Sequence, residues 1–505
     1  MNKTKREVLE HIKERYEAGA FEEGTYRLLE KLIRNAKNDD EAILIAELGV
    51  GRRTGLNYTK KMEVFTSDIK YLKRNEKLSF KSENKSNLNH KLIIGDNYFA
   101  LKNLLLTHRN KIDAIYIDPP YGSDSMGQFA KTNYQNNITR DNLLSMLYPR
   151  FMLAKQLLSE NGVVFCSIDD RNMAYIKCLF DDIFGENQFV SDIIWQSKYT
   201  ISNDKKNGMT TQTEHILCYA KKIENLYFNP AELKEEYVKK SYRYDDNDGR
   251  GLYRLVQLYK KKNPKSFTVV SPTGKEWTMP WNYTPETFAE LETENKVYWG
   301  KDGNSCPQKK VYLADSEGMG NRNLWLGEDV GYQQDGGDMV ESIFSDRNVF
   351  DYPKPVSLIK KILEISSNKN SIVLDFFAGS GTMGQAVLEL NKEDGGARQF
   401  ILCTNNEAED GYIAENVTSK RLKRVMTGSC YDGNTDFEWI KKNEPYGDNL
   451  EVFDIAEVSA NISDGGISPF NVIDETCYDK KFDNIQEKID WICNNFQGLT
   501  KKLED

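Results

Sequence analysis

The feature that most constrains the fold is an alternation of short apolar strands with amphipathic helical patterns, which occurs in two separate parts of the chain. In the first part, KLIIGDN, IDAIYID and GVVFCSIDD are each followed by apolar residues at helical spacing. In the second part, NSIVLDFFAGSGTMGQAVLELN predicts a strand, a turn and a helix, and RQFILCTNNE predicts another strand. This alternation predicts an α/β fold with a mostly parallel sheet that helices cover on both faces.

The stretch between these two parts lacks the alternation. Residues 200–345 are irregular and rich in Tyr, Trp, Asn and Gly, as in WNYTPETF. We therefore predict one sheet interrupted by a long insertion, in a chain whose 505 residues are too many for a single core. The predicted regions are a helical N-terminal region at 1–85 (a candidate for dimer or partner contacts), the two halves of the sheet domain at 86–199 and 346–428, the insertion at 200–345 and an acidic region at 429–505.

The net charge of −9 is unevenly distributed along the chain. The C-terminal region 429–505 holds 17 acidic and 7 basic residues, whereas 198–265 holds 15 basic and 9 acidic residues interleaved with tyrosines. A basic stretch rich in aromatic residues can contact phosphates and stack on bases. A merely solvated surface has the same composition, so this feature alone leaves both interpretations open. The tyrosines are Tyr199, Tyr219, Tyr237, Tyr242, Tyr244, Tyr253 and Tyr259.

Other sequence features argue against several classes of protein. No apolar run is long enough to span a membrane and the N-terminus lacks an apolar signal core, so we expect a cytoplasmic protein with no membrane contact. The eight cysteines form no CxxC pair and the four histidines are dispersed, which predicts reduced thiols and no metal site. The absence of a G-x-x-x-x-G-K-[ST] loop and of an acidic nuclease cluster argues against nuclease or translocase activity within the chain.

A glycine-rich turn follows one predicted strand and opens a helix. Gly379, Gly381 and Gly384 form a G-x-G-x-x-G pattern, in which glycine permits a tight turn and close approach of a ligand. The pattern alone fits a dinucleotide, S-adenosylmethionine (AdoMet) or a tight corner without ligand. Asp375 before the turn would repel a pyrophosphate but could pair with the amino group of a methionine moiety. Glu407, 23 residues after Gly384, is a candidate ligand of a ribose diol.

The sequence DPPY at 118–121 ends the predicted strand IDAIYID. In an open parallel sheet, ligands bind beyond the carboxyl ends of the strands, where prolines remove no ladder hydrogen bond and hold the backbone rigid. Asp118 and the carbonyl of Pro119 are two acceptors for one amino group, and Tyr121 presents a ring face. This set predicts a receptor for the exocyclic amino group of a base that is flipped out of a duplex, with no metal or covalent cysteine.

These motifs resemble the β-group amino-methyltransferases of DNA, and most closely the modification subunits of type III restriction systems. The resemblance runs from about Leu92 to Met426 and includes LIIGDN, IYIDPPY, GVVFCSIDD, IFGENQFV, FDYPKPVSLIKKIL, VLDFFAGSGTMGQAVLELN and RQFILCTNNE. It implies an AdoMet-dependent, Rossmann-like methyltransferase domain whose catalytic half is 86–199 and whose AdoMet-binding half is 346–428. It also implies that the insertion at 200–345 is a target recognition domain.

The resemblance assigns roles to individual residues. The catalytic residues are Asp118, Pro119, Pro120 and Tyr121, and the cofactor-binding residues are Asp96, Lys354, Asp375, Phe376, Ala378, Gly379, Ser380, Gly381, Thr382 and Glu407, with Asn405 or Asn406 as alternatives to Glu407. After DPPY the family usually continues with Asn-Thr, whereas this chain has Gly122-Ser123-Asp124. The loop to Asn142 is expected to close over the flipped base through Phe129 or Tyr134, and which of them stacks stays open.

The function that the resemblance implies is site-specific methylation of adenine N6 in double-stranded DNA, in a restriction-modification system. Cytosine N4 presents the same amino group and is the nearest alternative, and a catalytically silent DNA-reading subunit is a second one. The expected partners are duplex DNA, a second copy of the chain in a homodimer and a separate restriction subunit. The recognition sequence has no readable code in the insertion.

Overall fold

The computed structural model describes residues 5–17, 23–49, 58, 60, 68–82, 88–121, 140–200, 209–260, 266–406, 411–459 and 468–496. Its largest element is a ten-stranded sheet. The strands of this sheet are β1 Asp68–Arg74, β2 Asn89–Ile94, β3 Ile112–Ile117, β4 Leu158–Ile168, β5 Phe189–Gln196, β6 Thr213–Ala220, β12 Leu324–Trp325, β13 Ile372–Asp375, β14 Gln399–Thr404 and β15 Asn449–Ser459. Their order is β1-β15-β2-β14-β13-β3-β4-β6-β5-β12. The six strands from β15 to β4 in this order are parallel to one another, β1 and β6 pair antiparallel with their neighbours, and β12 is parallel to β5.

Helices cover both faces of the sheet, as the sequence predicted. One face packs against α4 Asn97–His108, α5 Arg140–Leu157, α6 Met173–Phe184, α15 Pro469–Val472 and α16 Ile485–Phe496. The other face packs against α9 Gly327–Val330, α10 Gln333–Phe344, α11 Val356–Ser366, α12 Thr382–Asp394, α13 Ser419–Thr427 and α14 Glu438–Lys442. In β3, Ile115 and Ile117 face the first layer whereas Ala114 and Tyr116 face the second. Burial on both faces explains why this strand is continuously apolar.

The pairing of β3 with β13 determines where the sequence motifs meet. Leu374 lies opposite Ile115 in parallel register, although about half the chain separates them in sequence. Asp118 and Asp375 therefore emerge at the same carboxyl edge, on neighbouring strands. This adjacency is what the two motifs require of a common site.

The N-terminal region differs from the helical prediction. The helices α1 Lys5–Glu17, α2 Glu23–Arg34 and α3 Asp39–Gly49 form their own small core. The prediction of a helical region up to 85 is wrong at β1, which is an edge strand of the sheet. Its partner β15 lies in the acidic region 429–505, and oppositely charged residues face each other across the pair, as Lys70 does Glu457. Cross-strand pairing therefore decides the conformation of this short charged segment.

The insertion is shorter than predicted. Because β6 lies between β4 and β5 in the main sheet, the boundary at 200 cuts through that sheet. A separate small core of Leu258, Trp281, Phe288, Leu291 and Trp299 identifies the independent part of the insertion. Its elements are α7 Glu235–Ser241, β7 Tyr253–Gln257, β8 Phe267–Val270, β9 Glu276–Met279, α8 Pro285–Thr293, β10 Val297–Tyr298 and β11 Gln308–Tyr312.

No helix within the described ranges is long and apolar enough to cross a membrane. Among the same residues, no cluster of His, Cys, Asp and Glu has the arrangement of a metal site.

Tyr478 attaches the edge strand β1 to the rest of the domain, and its removal provides a test of the fold. Its hydroxyl accepts from the Leu72 N–H at 2.7 Å and donates to Asn103 Oδ1 at 2.7 Å, in a fully buried position. Tyr478→Phe leaves both partners without this hydroxyl, so we expect a loss of about 1–3 kcal/mol in the free energy of unfolding, measured by urea denaturation. The control Tyr227→Phe removes a hydroxyl from a side chain that is 72% exposed. Equal midpoints for the two variants would contradict this assignment.

Candidate active site

The DPPY corner is held in one conformation by its own side chains. Asp118 follows directly after β3, and its Oδ1 accepts a hydrogen bond from the Tyr121 hydroxyl at 2.6 Å. The carboxylate is 28% exposed, whereas Pro119 is buried. Burial, followed by the charges of Asp118 and Glu214, raises the pKa of Tyr121 well above its ordinary value, so the phenol stays a neutral donor. Asp118 therefore remains accessible at the carboxyl edge of the sheet, in a fixed orientation.

A buried asparagine, which the sequence analysis did not select, supports this corner from the neighbouring strand. Asn172 follows β4, and its Nδ2 donates to the carbonyl of Tyr121 at 2.5 Å. Asp169 accepts from both the backbone and the side chain of Asn172, at 3.1 and 3.2 Å. The polar run IDDRN directly after the apolar strand β4 was the available signal, because strand ends line the same edge of a parallel sheet.

Lys354 connects the DPPY corner with the glycine-rich turn. Its ammonium donates to Asp118 Oδ2 at 2.8 Å and to the Tyr121 hydroxyl at 3.1 Å, and lies 3.4 Å from Glu214 Oε2. Its backbone carbonyl accepts from Thr382 Oγ1 at 3.3 Å. Burial alone would lower the pKa of Lys354, but the charges of Asp118 and Glu214 outweigh it and hold the pKa above its ordinary value. The lysine is thus a buried, permanently charged member of the site.

Glycine is needed at the three positions of the turn for different physical reasons. Gly379 and Gly381 have φ values of +48° and +80°, which favour glycine, and Gly381 is the N-cap of α12. At Gly384 a Cβ would meet the side chain of Leu422 at 2.6 Å, so this glycine permits close packing of α12. The turn therefore directs the N-terminus of α12, with its free N–H groups, to the edge of the sheet.

Asp375 ends β13 beside the turn, and its side chain is buried. Its Oδ1 accepts from the Phe377 N–H at 2.9 Å. Burial, with a contribution from the charge of Asp118, raises the pKa of Asp375 to about 8. A buried carboxyl group with this pKa binds a proton or a cationic group readily, which fits the expected contact with an amino group.

Asp96 lies next to the turn through a short network of polar contacts. It caps α4 by accepting from the Tyr98 N–H at 2.8 Å, and Arg150 Nη2 donates to its Oδ2 at 3.0 Å. Asn97 Nδ2 donates to the carbonyl of Phe376 at 2.7 Å. The start of α4 is therefore fixed relative to the glycine-rich turn, and Asp96 keeps an exposed carboxylate there, 47% accessible.

The matching family is that described as DNA methylase, whose model covers residues 112–416, more than half of the chain. The chain belongs to the DNA methylase family. A second model, for an uncharacterised conserved protein, matches residues 3–114.

Individual relatives agree with this membership. The type III restriction-modification enzyme StyLTI Mod subunit of Salmonella typhimurium is 34% identical over 422 residues, which cover 74% of this chain but only 64% of that protein. The type II methyltransferase M.EcaI of Enterobacter cloacae is 30% identical over 360 residues, covering 68% of this chain and 74% of the relative. Among solved structures, the M1.HpyAVI–SAM complex matches with a TM-score of 0.30 and 16% identity, over 66% of this chain and 97% of that chain.

Two buried arginines of this family member were missed by the sequence analysis. Arg150, in the apolar run LLSMLYPRFML, reaches Asp96 as described above. Arg421 is fully buried under the glycine-rich turn and donates to Thr382 Oγ1 at 2.9 Å and to Ser380 Oγ at 3.0 Å. Burial lowers the pKa of Arg421 to about 9. A charged residue within an amphipathic helix does not reveal which face it lies on, so only tertiary packing identifies these two.

The remaining predicted residues lie in the glycine-rich turn, at the DPPY corner, after β14 or outside the described residues. Phe376, Ala378 and Ser380 lie in the turn and are buried, and Pro120 is partly buried at the DPPY corner. Asn405 and Asn406 follow β14, where Asn406 Oδ1 accepts from the Glu415 N–H at 3.0 Å. Glu407, Phe129, Tyr134 and Gly122–Asp124 lie outside the described residues.

The raised pKa of Asp375 predicts a specific pH dependence of stability. Between the ordinary pKa of 3.8 and the folded value of about 8, the folded chain keeps a proton that the unfolded chain has lost. Asp375 therefore stabilises the fold least above pH 8, and its contribution decreases as the pH rises through this window. Without AdoMet, we expect Asp375→Asn to raise the melting temperature relative to the unmodified chain by about 2–4 °C more at pH 8 than at pH 5.

The matched control for this titration is Asp483→Asn, which changes an exposed aspartate. Its melting temperature should follow that of the unmodified chain at every pH. If Asp375→Asn also followed it in parallel, the carboxyl group would not be protonated in the folded chain.

Proposed function

We propose that this chain is a site-specific DNA methyltransferase that uses AdoMet to methylate the N6 amino group of adenine in duplex DNA, after flipping the base. The observation that carries the proposal is the adjacency of the Asp118 corner and the glycine-rich turn, at the carboxyl ends of the paired strands β3 and β13. One corner offers acceptors for an amino group and the other a turn for a cofactor. Family membership supports the same chemistry.

The residues of the turn fit AdoMet. The methionine moiety carries an amino group, for which buried Asp375 is an acceptor, and a carboxylate, for which the N-terminus of α12 is a suitable partner. Asp96 has an exposed carboxylate that suits a hydroxyl or amino donor. When bound, AdoMet supplies an electrophilic methyl group on a sulfonium. The proposed cofactor residues are accordingly Asp96, Lys354, Asp375, Phe376, Ala378 and the turn from Gly379 to Thr382, with Glu407 proposed for the ribose. Lys354 is adjacent to the turn through its carbonyl, which accepts from Thr382.

The chain's own groups act on the amino nitrogen of the base. Asp118 and the Pro119 carbonyl accept its two N–H hydrogens, which directs the nitrogen lone pair away from them and stabilises the positive charge that develops on nitrogen. Pro120 keeps the backbone rigid, and the ring of Tyr121 replaces the stacking that the base loses on leaving the duplex. Asp118 is then the nearest carboxylate for the proton that the nitrogen must release.

Asp118→Ala tests this role directly. We expect the methylation rate to fall by at least about 100-fold, because the variant loses a fixed acceptor that stabilises the developing charge. Transfer of a tritiated methyl group from AdoMet to genomic DNA measures the rate, and calorimetry measures AdoMet binding, which should persist. The control Asp483→Ala removes an exposed aspartate from the C-terminal region and should retain full activity. Methylation that survives in Asp118→Ala would refute the proposed mechanism.

The target base is proposed to be adenine, on the strength of the resemblance to type III modification subunits. Cytosine N4 offers the same two N–H groups to Asp118 and Pro119 and remains the competing target. Digesting the methylated DNA to nucleosides and separating them by mass spectrometry distinguishes N6-methyladenine from N4-methylcytosine. Modification-sensitive sequencing of the same DNA gives the recognition site.

DNA recognition is proposed for the insertion and its flanking basic stretch. Tyr219, Tyr242 and Tyr253 are buried and serve packing, whereas Tyr199 and Tyr244 are 75% and 42% exposed and remain candidates for contacts with DNA. Lys240 and Arg243 are exposed in the same stretch and suit phosphate contacts. The relative's name, a Mod subunit of a type III restriction-modification enzyme, supports a separate restriction subunit as partner. A homodimer is proposed as the form that binds DNA.

Replacing Lys240 and Arg243 by alanine tests the DNA surface. Each phosphate contact that is lost should reduce the slope of log affinity against log salt by about 1, so we expect a reduction of about 1–2 for the double variant. Fluorescence anisotropy with labelled duplex DNA at several salt concentrations measures this slope. Lys480→Ala with Lys481→Ala removes the same charge from exposed C-terminal positions. Identical slopes for the two double variants would exclude the proposed surface.

A further inference from the structure

Both carboxylate oxygens of Asp118 already have donors in this structure. Tyr121 donates to Oδ1 at 2.6 Å, and Lys354 donates to Oδ2 at 2.8 Å. The ammonium of Lys354 therefore competes with the amino group of the base for the oxygen that the proposed function assigns to that group. It also places a positive charge beside a nitrogen that becomes positive during the reaction, and like charges in a buried site repel strongly. Transfer of the ammonium to another acceptor would therefore favour the reaction.

Glu214 on β6 is such an acceptor. Its Oε2 lies 3.4 Å from Lys354 Nζ, and its side chain is only 13% exposed. Within the described part of the chain this buried oxygen has no hydrogen-bond partner. The 3.4 Å ion pair with Lys354 is longer than a charge-assisted hydrogen bond to lysine, whose usual length is about 2.8 Å, so this buried oxygen is incompletely satisfied. A small movement of the flexible lysine side chain is sufficient to form this bond.

We propose that Glu214 is a positioning residue, which accepts the ammonium of Lys354 when the amino group of the target base binds to Asp118. This inference rests on the proposed function and adds a residue to it. In the free chain Lys354 neutralises Asp118, and in the complex it pairs with Glu214 and leaves Asp118 Oδ2 to the base. No covalent bond changes in this exchange.

The surroundings of Lys354 allow this movement without loss of its charge. The other titratable groups around this cluster are the phenols of Tyr121 and Tyr116, the thiol of Cys166 and the carboxyl group of Asp375. Burial raises the pKa values of the phenols and the thiol well above the ordinary range, so these groups stay neutral. Burial also raises the pKa of Asp375 to about 8, and its Oδ1 already accepts from the Phe377 N–H. The aromatic ring of Trp195 lies 6.0 Å from the ammonium. Asp118 and Glu214 are therefore the two anionic acceptors between which the lysine can move.

The variant Glu214→Gln tests the exchange under single-turnover conditions. The assay uses AdoMet and a genomic DNA fragment that the unmodified chain methylates. We expect the rate at pH 7.5 to fall at least about tenfold, because the amide is a weaker acceptor and the ammonium stays on Asp118. AdoMet affinity should be unchanged. The control Glu224→Gln makes the same change at an exposed position and should keep the full rate.

The pH profile separates this role from a purely structural one. Without the charge of Glu214, the pKa of buried Lys354 is lower than in the unmodified chain, although Asp118 still raises it. Raising the pH should therefore remove the ammonium charge more readily in Glu214→Gln and increase its rate relative to the unmodified chain. Removing the ammonium in the double variant Glu214→Gln, Lys354→Met should likewise give a faster enzyme than Glu214→Gln alone. Both effects are expected only if the ammonium of Lys354 on Asp118 is what slows methyl transfer in Glu214→Gln.

The possible results distinguish a failure of this inference from a failure of the proposed function. Recovery at high pH and in the double variant supports the exchange. An unmodified chain that methylates no DNA overturns the proposed function and this inference with it. If the unmodified chain is active, then a full rate in Glu214→Gln, or a loss that neither pH nor the second substitution relieves, overturns the inference alone.

Discussion

The parallel pairing of β3 with β13 is the constraint on which the site depends. A strand from each part of the sheet domain contributes to it, and the Leu374–Ile115 register determines that Asp375 and Asp118 leave the sheet at the same edge. The apolar side chains of both strands are buried on both faces, and a one-residue slip in this pairing would exchange the residues that face each helical layer. The same strand pairing therefore both stabilises the core and aligns the two corners.

Charge is the second organising feature of the site, and Lys354 is central to it. Lys354 contacts Asp118 with its ammonium and the glycine-rich turn with its backbone carbonyl. The close approach of α10 supports this position, because a Cβ at Gly336 would lie 1.9 Å from the carbonyl oxygen of Pro353. Gly336 thus allows α10 to pack closely against the segment that carries the lysine. A longer side chain at Gly336 would move Lys354 relative to both corners.

The sequence was sufficient for the parts of this structure that follow from local rules. Strand ends, glycine conformation and proline placement predicted that Asp118 and Asp375 would meet. The segment TEHILCYA falls within the predicted insertion because the alternation of strands and helices is lost there, but β6 runs antiparallel and needs no crossover helix. The contacts of Arg150, Asn172, Glu214 and Arg421 were not predictable, because each depends on which distant residue packs against a buried polar side chain.

Arg421 shows how the turn combines stability with a useful electrostatic potential. Among the described residues its guanidinium contacts hydroxyl groups, a backbone carbonyl and the amide oxygen of Gln385, but no carboxylate. A carboxylate in this place would pair with the arginine more strongly, but it would also cancel the positive potential at the N-terminus of α12. Neutral oxygen acceptors satisfy most of the guanidinium hydrogens and leave its charge in place. Nη2 is buried and has no hydrogen-bond partner within the described ranges, so the positive charge beneath the turn carries a desolvation cost.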